Sequence, residues 1–472
     1  MKRITNNQGL WTRRVVLQRA MQLSALGVGA PLAINLAAIG EAAAFDASDY
    51  KALVCVFMYG GNDYANTLIP SDPANYALYH QIRAGESGED QSGIALARAD
   101  LAATALTPLD SAVLTDNIQY SLAPELTGLK SKFDAGRLAI LLNVGPLIQP
   151  TTLAQYESQD RAANPLPPRL FSHSDQQSLW QTDGDEKSTH GWGGRLGDLA
   201  LSSDSSGSQL TCISASGNAI FVAGQDAIPY QVSPNGAIRI KALDGPLRGA
   251  VRAIITRSSS HALEEECAAV TRRSIELEGR VNSAIRGVTL STAFPGGNPL
   301  AKQLRVVARL IGANARLGVK RQVFFVSFGD FDHHKSLMAQ HPVLMKQFND
   351  ALGAFYSATV ELGVANKVTT FSASDFGRSL ASNADGSDHG WGSHHFVLGA
   401  AVHGGRFYGI APHVSTQTDD QVGQGRLLPT TSLDQLGATL AQWFGCTATE
   451  VPGILPNVGN FSNTDLGFMK AG

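Results

Sequence analysis

Four short, almost uninterrupted apolar runs punctuate the chain: Lys51–Tyr59 (KALVCVFMY), Leu138–Val144 (LAILLNV), Gln322–Phe328 (QVFFVSF) and Lys367–Ala373 (KVTTFSA). Runs of this length that lack polar alternation suit strands covered on both faces, the situation in a parallel sheet. Helical periodicity fills the intervals. From His341 to Leu362, apolar residues recur at Leu344, Phe348, Leu352, Phe355 and Leu362, with Gly363 as a stop. Arg248–Arg286 and Pro299–Leu317 predict two more helices, and Ser432–Phe444 a last one capped by Ser432 or Thr431. Residues 83–120 and 200–245 are rich in Gly, Ser, Asp and Ala and read as loops and short strands. The alternation predicts an α/β fold with a mostly parallel central sheet, helices on both faces and an insertion at about residues 200–318.

The first 44 residues follow a different rule. Lys2, Arg3, Arg13 and Arg14 precede a weakly apolar stretch from Ala20 to Gly40, and Ala42, Ala43 and Ala44 offer a small-residue cleavage site before Phe45. That order is the signature of a signal peptide. Thr12-Arg13-Arg14-Val15-Val16-Leu17 resembles the twin-arginine export motif, with Val16 where Phe is usual and Gln18 where Lys is usual. Gln22, Pro31 and Asn35 interrupt the apolar run, against the uninterrupted stretch of about 18 residues or more that a spanning helix needs. The expected partners are therefore the twin-arginine translocase and signal peptidase, and the expected location is the periplasm or the exterior. Residues 45–472 form the mature chain, with no stable membrane span.

Charge narrows the options. The whole chain carries −3, and removal of the basic leader makes the remainder more acidic. Such a chain is a poor nucleic-acid binder, because that affinity rests on Lys and Arg neutralising phosphate. The four cysteines, Cys55, Cys212, Cys267 and Cys446, lie far apart, which excludes a zinc ribbon or a thioredoxin-type pair and leaves one or two disulfides open.

Acids and imidazoles gather where the predicted strands end. The first strand runs into Gly60-Gly61-Asn62-Asp63, the third into Asp330-Phe331-Asp332-His333-His334, and the fourth into Asp375-Phe376-Gly377-Arg378. Asp385, Asp388, His389, His394 and His395 follow. Six of the twelve histidines fall between Asp330 and His395. Ligands of open α/β sheets bind beyond the carboxyl ends of the strands. Imidazole mixed with carboxylate suits Zn or Mn better than Ca, and the absence of thiolate excludes a structural zinc site. An Asp that follows a strand also serves as a helix N-cap or in an Asx-turn, so the cluster rather than any single residue carries the expectation.

These segments resemble a large bacterial family of twin-arginine-exported proteins, known mainly as a domain of unknown function and related to alkaline phosphatases and sulfatases. The resemblance spans Lys51 to Phe468. It includes Gly60–Asp63, Phe171-Ser172-His173-Ser174-Asp175-Gln176-Gln177, Gly191-Trp192-Gly193-Gly194-Arg195, Asp332–His334, Asp375–Arg378, Asp388–Gly392, Gly425–Thr430 and Asp434-Gln435. It implies a three-layer alkaline-phosphatase-like core that binds one or two divalent ions. The implied metal ligands are Asp63, Asp332, His334, Asp388, His389 and His394 or His395, with Asp375 replacing or joining Asp388. Ser172 is the implied nucleophile, with Ser174 and Thr67 as rivals, and Arg378 an oxyanion clamp or a structural ion pair. No cysteine is followed by the Pro and Arg that formylglycine sulfatases require.

The expected activity is hydrolysis of a phosphate or sulfate ester, on a small molecule or a polysaccharide, by an exported metal-dependent enzyme. The alternative is a non-catalytic envelope or binding protein on a degenerate hydrolase scaffold. An α/β-type serine hydrolase lacks its Gly-x-Ser-x-Gly elbow here, and no Walker A loop is present.

Overall fold

The computed structural model describes residues 45–85, 93–183, 188–201, 209–238, 240–243 and 245–470. The proposed leader falls outside these residues. Its strands are β1 (Lys51–Met58), β2 (Leu68–Pro70), β3 (Tyr120–Leu122), β4 (Leu138–Gly145), β5 (Cys212–Ser214), β6 (Tyr230–Ser233), β7 (Gly236–Ala237), β8 (Arg321–Phe328), β9 (Val368–Ser374), β10 (Arg378–Ser382), β11 (Ser387–His389), β12 (Ser393–Leu398), β13 (Arg406–Tyr408) and β14 (Thr431–Ser432). The α-helices are α1 (Pro73–Ile82), α2 (Thr127–Asp134), α3 (Leu153–Glu157), α4 (His173–Thr182), α5 (Trp192–Ala200), α6 (Arg248–Ile255), α7 (Ala262–Arg286), α8 (Pro299–Gly312), α9 (Asn314–Leu317), α10 (Leu337–Glu361) and α11 (Leu433–Phe444).

The main sheet has ten strands in the order β13-β4-β12-β9-β1-β8-β5-β6-β7, with β14 also on β4. The four apolar runs are β1, β4, β8 and β9, each within a residue or two of its expected ends. β1 lies parallel to both β8 and β9, β5 parallel to β8, and β13 and β14 parallel to β4. β12 runs antiparallel between β4 and β9, so the sheet is mostly parallel. Because β12 returns from the edge where β9 ends, His394 and His395 start at the same carboxyl edge as Asp375.

Every residue of β1, β8 and β9 except Lys51 is buried, which accounts for the missing polar alternation. Val54, Val56, Phe324 and Val326 share one core with Leu304 and Ile311 of α8 and Phe348 and Leu352 of α10. On the opposite face α5 sets Trp192 against Phe371, with ring centres 5.5 Å apart, and Phe221 sits 5.9 Å from Phe325. Helices therefore cover both faces, as expected. Among the described residues, no helix is long and apolar enough to cross a membrane.

Local sequence rules set the helix ends. Ser432 and Gln435 close a reciprocal capping box at the start of α11. Asn298 caps α8, with Pro299 at its first position. The single helix expected over Arg248–Arg286 is two, α6 and α7, because the Ser-rich turn before Ala262 breaks it. The stretch expected as an insertion supplies β5, β6 and β7 to the sheet and α8 to the core. All four cysteines are free thiols, and Cys267 alone is exposed.

Candidate metal centre

Three loops and one helix start meet beyond the carboxyl ends of β1, β8 and β9. Gly60 and Gly61 make the approach possible. Gly60 has φ of 115°, and a Cβ there would lie 2.5 Å from the Asp332 nitrogen. At Gly61, with φ of 82°, a Cβ would lie 2.4 Å from the Phe376 ring. Both positions exclude a side chain by conformation and by space.

Asp332 is the hub. Its Oδ1 lies 2.9 Å from Arg378 Nη1, 3.1 Å from His334 Nε2 and 3.4 Å from His389 Nε2. Its Oδ2 lies 3.4 Å from His173 Nε2. His334 Nε2 and His389 Nε2 are 2.9 Å apart. His173, Asp332 and His389 each place a ligand atom within 4.8 Å of the others. Asp332 is 46% exposed, so the centre opens to solvent.

Each imidazole is held from behind. His173 Nδ1 lies 2.7 Å from Asp375 Oδ2. His334 Nδ1 lies 3.2 Å from Asp388 Oδ1, which Asn383 Nδ2 also reaches at 2.6 Å. His389 Nδ1 lies 2.7 Å from the carbonyl oxygen of Phe171. With the proton on Nδ1 in each ring, these acceptors are satisfied and the Nε2 lone pairs face Asp332. That is the outer-shell arrangement of metal-bound histidines. His173 Nε2 is buried with no hydrogen-bond partner, a state rare without a missing ligand. In tetrahedral zinc coordination, neighbouring nitrogen ligands sit about 3.3 Å apart. The one nitrogen–nitrogen spacing, 2.9 Å between His334 and His389, is near that value, and His173, Asp332 and His389 form a group that fits one divalent ion through two nitrogens and one oxygen, with His334 beside it.

The electrostatics keep Asp332 ionised beside the imidazoles. Burial opposes ionisation of Asp332, but the hydrogen bond and charge of Arg378, with His173 and His334, outweigh it and hold the carboxyl below its usual range. The hydrogen bond to Asp375 raises the His173 pKa against its burial. Burial lowers that of His389.

The elements explain how residues so far apart converge. Asp375 follows β9 directly, is fully buried, and accepts from Gly60 N at 3.1 Å and Gln177 Nε2 at 2.8 Å besides His173. His173 is the first residue of α4, whose Trp180 packs against the His395 ring at 4.7 Å. Arg378 and His389 are register partners across the β10–β11 hairpin. Arg426 locks that hairpin by donating from Nε to the His389 carbonyl at 2.6 Å, while its guanidinium stacks over Phe171 at 5.5 Å.

Of the expected ligands, the structure brings together Asp332, His334 and His389. Asp388 and Asp375 stand one layer out, orienting His334 and His173, although Asp375 Oδ1 has no partner. Asp63 is elsewhere. Its buried carboxylate pairs with Arg83 at 2.9 Å, accepts from Ser387 Oγ at 2.7 Å and caps the turn at Asn66, and these partners hold its pKa at about 2 against burial. Both Asp63 oxygens are taken by these buried donors, and the residue lies outside the His173, Asp332 and His389 group. His394 is also elsewhere: its Nδ1 accepts from Asn143 N at 3.1 Å and its ring lies edge-on to Tyr64 at 5.1 Å. His395 Nδ1 faces Ser372 Oγ at 3.3 Å.

Arg378 is not an oxyanion clamp. It is buried, and its donors are spent on Gly60 O, Asp332 Oδ1 and Ser387 O. Ser172 is the N-cap residue of α4, next to His173, with its Oγ donating to Asp175 Oδ2. Thr67 Oγ1 donates to Asp63 O inside the fold. Sequence reasoning missed His173, although it lies in a quoted motif beside Ser172 at a helix start. It also missed the Phe171 carbonyl, which leaves no mark in a side-chain pattern.

Fold and site together describe an α/β protein with histidines and an aspartate gathered at the carboxyl edge of a mostly parallel sheet. The chain belongs to the family described as Protein of unknown function (DUF1501), whose profile matches residues 50–448. No curated protein matches the sequence. Distant similarity extends to solved structures, three of which follow. Ps i-CgsB in complex with k-i-k-neocarrahexaose has 9% identity, covers 88% of this chain and 78% of its own, and has a TM-score of 0.36. The PsFucS1 sulfatase from Pseudoalteromonas sp. has 10% identity, coverage of 89% and 74%, and a TM-score of 0.34. The lipoteichoic acid synthase LtaP from Listeria monocytogenes has 7% identity, coverage of 88% and 77%, and a TM-score of 0.32.

Proposed function

We propose that the protein is an exported, metal-dependent hydrolase of phosphate or sulfate esters that does not use formylglycine. The observation that carries the metal is the set of three imidazoles, His173, His334 and His389, each tied back at Nδ1 and each presenting Nε2 to Asp332. This donor set suits Zn or Mn and disfavours Ca, which takes six to eight oxygens. A bound ion would supply Lewis-acid polarisation of the ester oxygen and charge neutralisation in the transition state.

The chain's own groups do the rest. Arg378 pins Asp332 so that its carboxylate stays ionised and fixed. Asp375, Asp388 and the Phe171 carbonyl hold the imidazole orientations. Attack falls to water at the open side of Asp332 or to the Ser172 hydroxyl, which could pass its proton to Asp175. Formylglycine chemistry is disfavoured because three of the four cysteines are buried and the fourth, Cys267, lies on α7. The ester class follows from the family resemblance, and export through the twin-arginine translocase with signal-peptidase cleavage follows from the leader.

The test is hydrolysis of p-nitrophenyl phosphate, bis-p-nitrophenyl phosphate and p-nitrophenyl sulfate after loading with Zn or Mn. Turnover of one ester that is lost in Asp332→Ala supports the proposal. With activity in hand, Ser172→Ala separates the nucleophiles: retained turnover assigns attack to water. A fully loaded protein that turns over none of the three, and no ester of a sulfated or phosphorylated glycan, favours the non-catalytic envelope protein.

A further inference from the structure

The N-terminal half of α7 differs from the rest of that helix. From Leu263 to Ala284, seven residues recur at alternating steps of four and three: Leu263, Cys267, Val270, Ser274, Leu277, Val281 and Ala284. This is a heptad seam. Its C-terminal part, Leu277, Val281 and Ala284, is buried in the core. Its N-terminal part continues out of the body, with Leu263 73% exposed, Val270 47% exposed and Cys267 exposed. α6 lies alongside, joined by a hydrogen bond from Arg272 Nη1 to Thr256 O at 2.9 Å, and adds exposed Leu247 and Ile254.

The charges beside the seam are self-complementary. Glu266 and Arg273 both sit immediately before a seam position, one heptad apart on the same flank, and pair along the helix at 3.0 Å. In an antiparallel pair of such helices, equivalent flanks face each other. A two-fold axis near Ala268 sets Cys267 against Val270 of a second copy and Leu263 against Ser274. The same axis brings Glu266 against Arg273 of the second copy on both sides. Exposed ion pairs hold little free energy, so exchanging the intrahelical pair for the intermolecular one costs little.

We propose that the N-terminal half of α7, flanked by α6, is the contact of an isologous homodimer. It is independent of the metal centre. The seam is short, so the interface is at the small end of the specific range and the dimer is concentration-dependent.

Sedimentation velocity over a wide range of concentration tests this. Wild type is expected to shift from monomer to dimer mass, and Leu263→Glu with Val270→Glu to stay monomeric. Glu266→Arg alone and Arg273→Glu alone each place like charges across the seam and are expected to be monomeric, but mixing them restores opposite charges and the dimer. The surface charge variants keep the test open should the apolar double variant fold poorly. Wild type that is monomeric throughout, or a dimer indifferent to the charge changes, overturns the proposal. So does a monomer that instead cosediments with phosphatidylglycerol vesicles through this face.

Discussion

Asp375→Asn is the most informative single change. The buried carboxylate takes three donors on Oδ2: His173 Nδ1 at 2.7 Å, Gln177 Nε2 at 2.8 Å and Gly60 N at 3.1 Å. An amide oxygen can occupy the same position, with the amide nitrogen where Oδ1 now has no partner, so the shape is retained and the charge removed. What is lost is the carboxylate that keeps the His173 proton on Nδ1 and makes Nε2 a strong donor. Loss of an orienting partner of a metal-bound histidine costs about 10–100-fold in metal affinity, or about 1.4–2.8 kcal/mol at 1.4 kcal/mol per decade. Asp388→Asn removes the half-exposed counterpart behind His334 and is expected to cost less. Zinc affinity measured by competition with a chromophoric chelator reads both. An Asp375→Asn protein that binds zinc within twofold of wild type would falsify the tied-back account of His173. A loss as large as that of Asp332→Asn would instead make Asp375 a direct ligand.

Arg378→Met should destabilise the protein markedly. Removing one partner of a buried pair costs about 3–5 kcal/mol, with the low end expected because Asp332 is half exposed. Urea titration measures this, and a loss under 1 kcal/mol would contradict the structural role. Metal affinity should rise with pH through and above neutrality. The bond to Asp375 raises the His173 pKa, so its proton competes with metal to a higher pH than that of an ordinary imidazole, and calorimetry across pH 5–9 should show the slope. A third change concerns the buried acids Asp183 and Asp434. Burial, reinforced for Asp183 by the neighbouring Asp434 charge, raises both, Asp434 to about 6. A raised acid contributes stability only while protonated, so this contribution is present below about pH 4 and fades as pH rises through 6. Asp434→Asn should therefore raise the melting temperature at pH 8 more than at pH 5, and an equal change at both would refute the shared-burial account.

The sheet was readable from the chain because strands buried on both faces leave unbroken apolar runs, and β1, β4, β8 and β9 each did. The short strands β5, β6 and β7 left no such mark. Two to four residues among Gly and Ser lack a period, which is why that stretch read as loops and short strands. In the site, Asp332, His334 and His389 were visible as acids and imidazoles after strands. Asp63 carried the same signal and is a structural ion pair instead, because nothing local shows that Arg83 folds back onto it. For Arg378 the sequence left an oxyanion clamp and a structural ion pair open, and the fold settles on the pair: its partners are Asp332 Oδ1 and the backbone carbonyls of Gly60 and Ser387.

On the proposed reading, His173, His334, His389 and Asp332 bind one divalent ion. Elemental analysis of the protein recovered from the exporting host without chelator tests it most directly, beside His173→Ala with His389→Ala. The account predicts about one equivalent of Zn or Mn per chain in the wild type and loss of that metal in the folded double variant. A well-folded wild type that carries no metal and takes up none from excess Zn or Mn would contradict it.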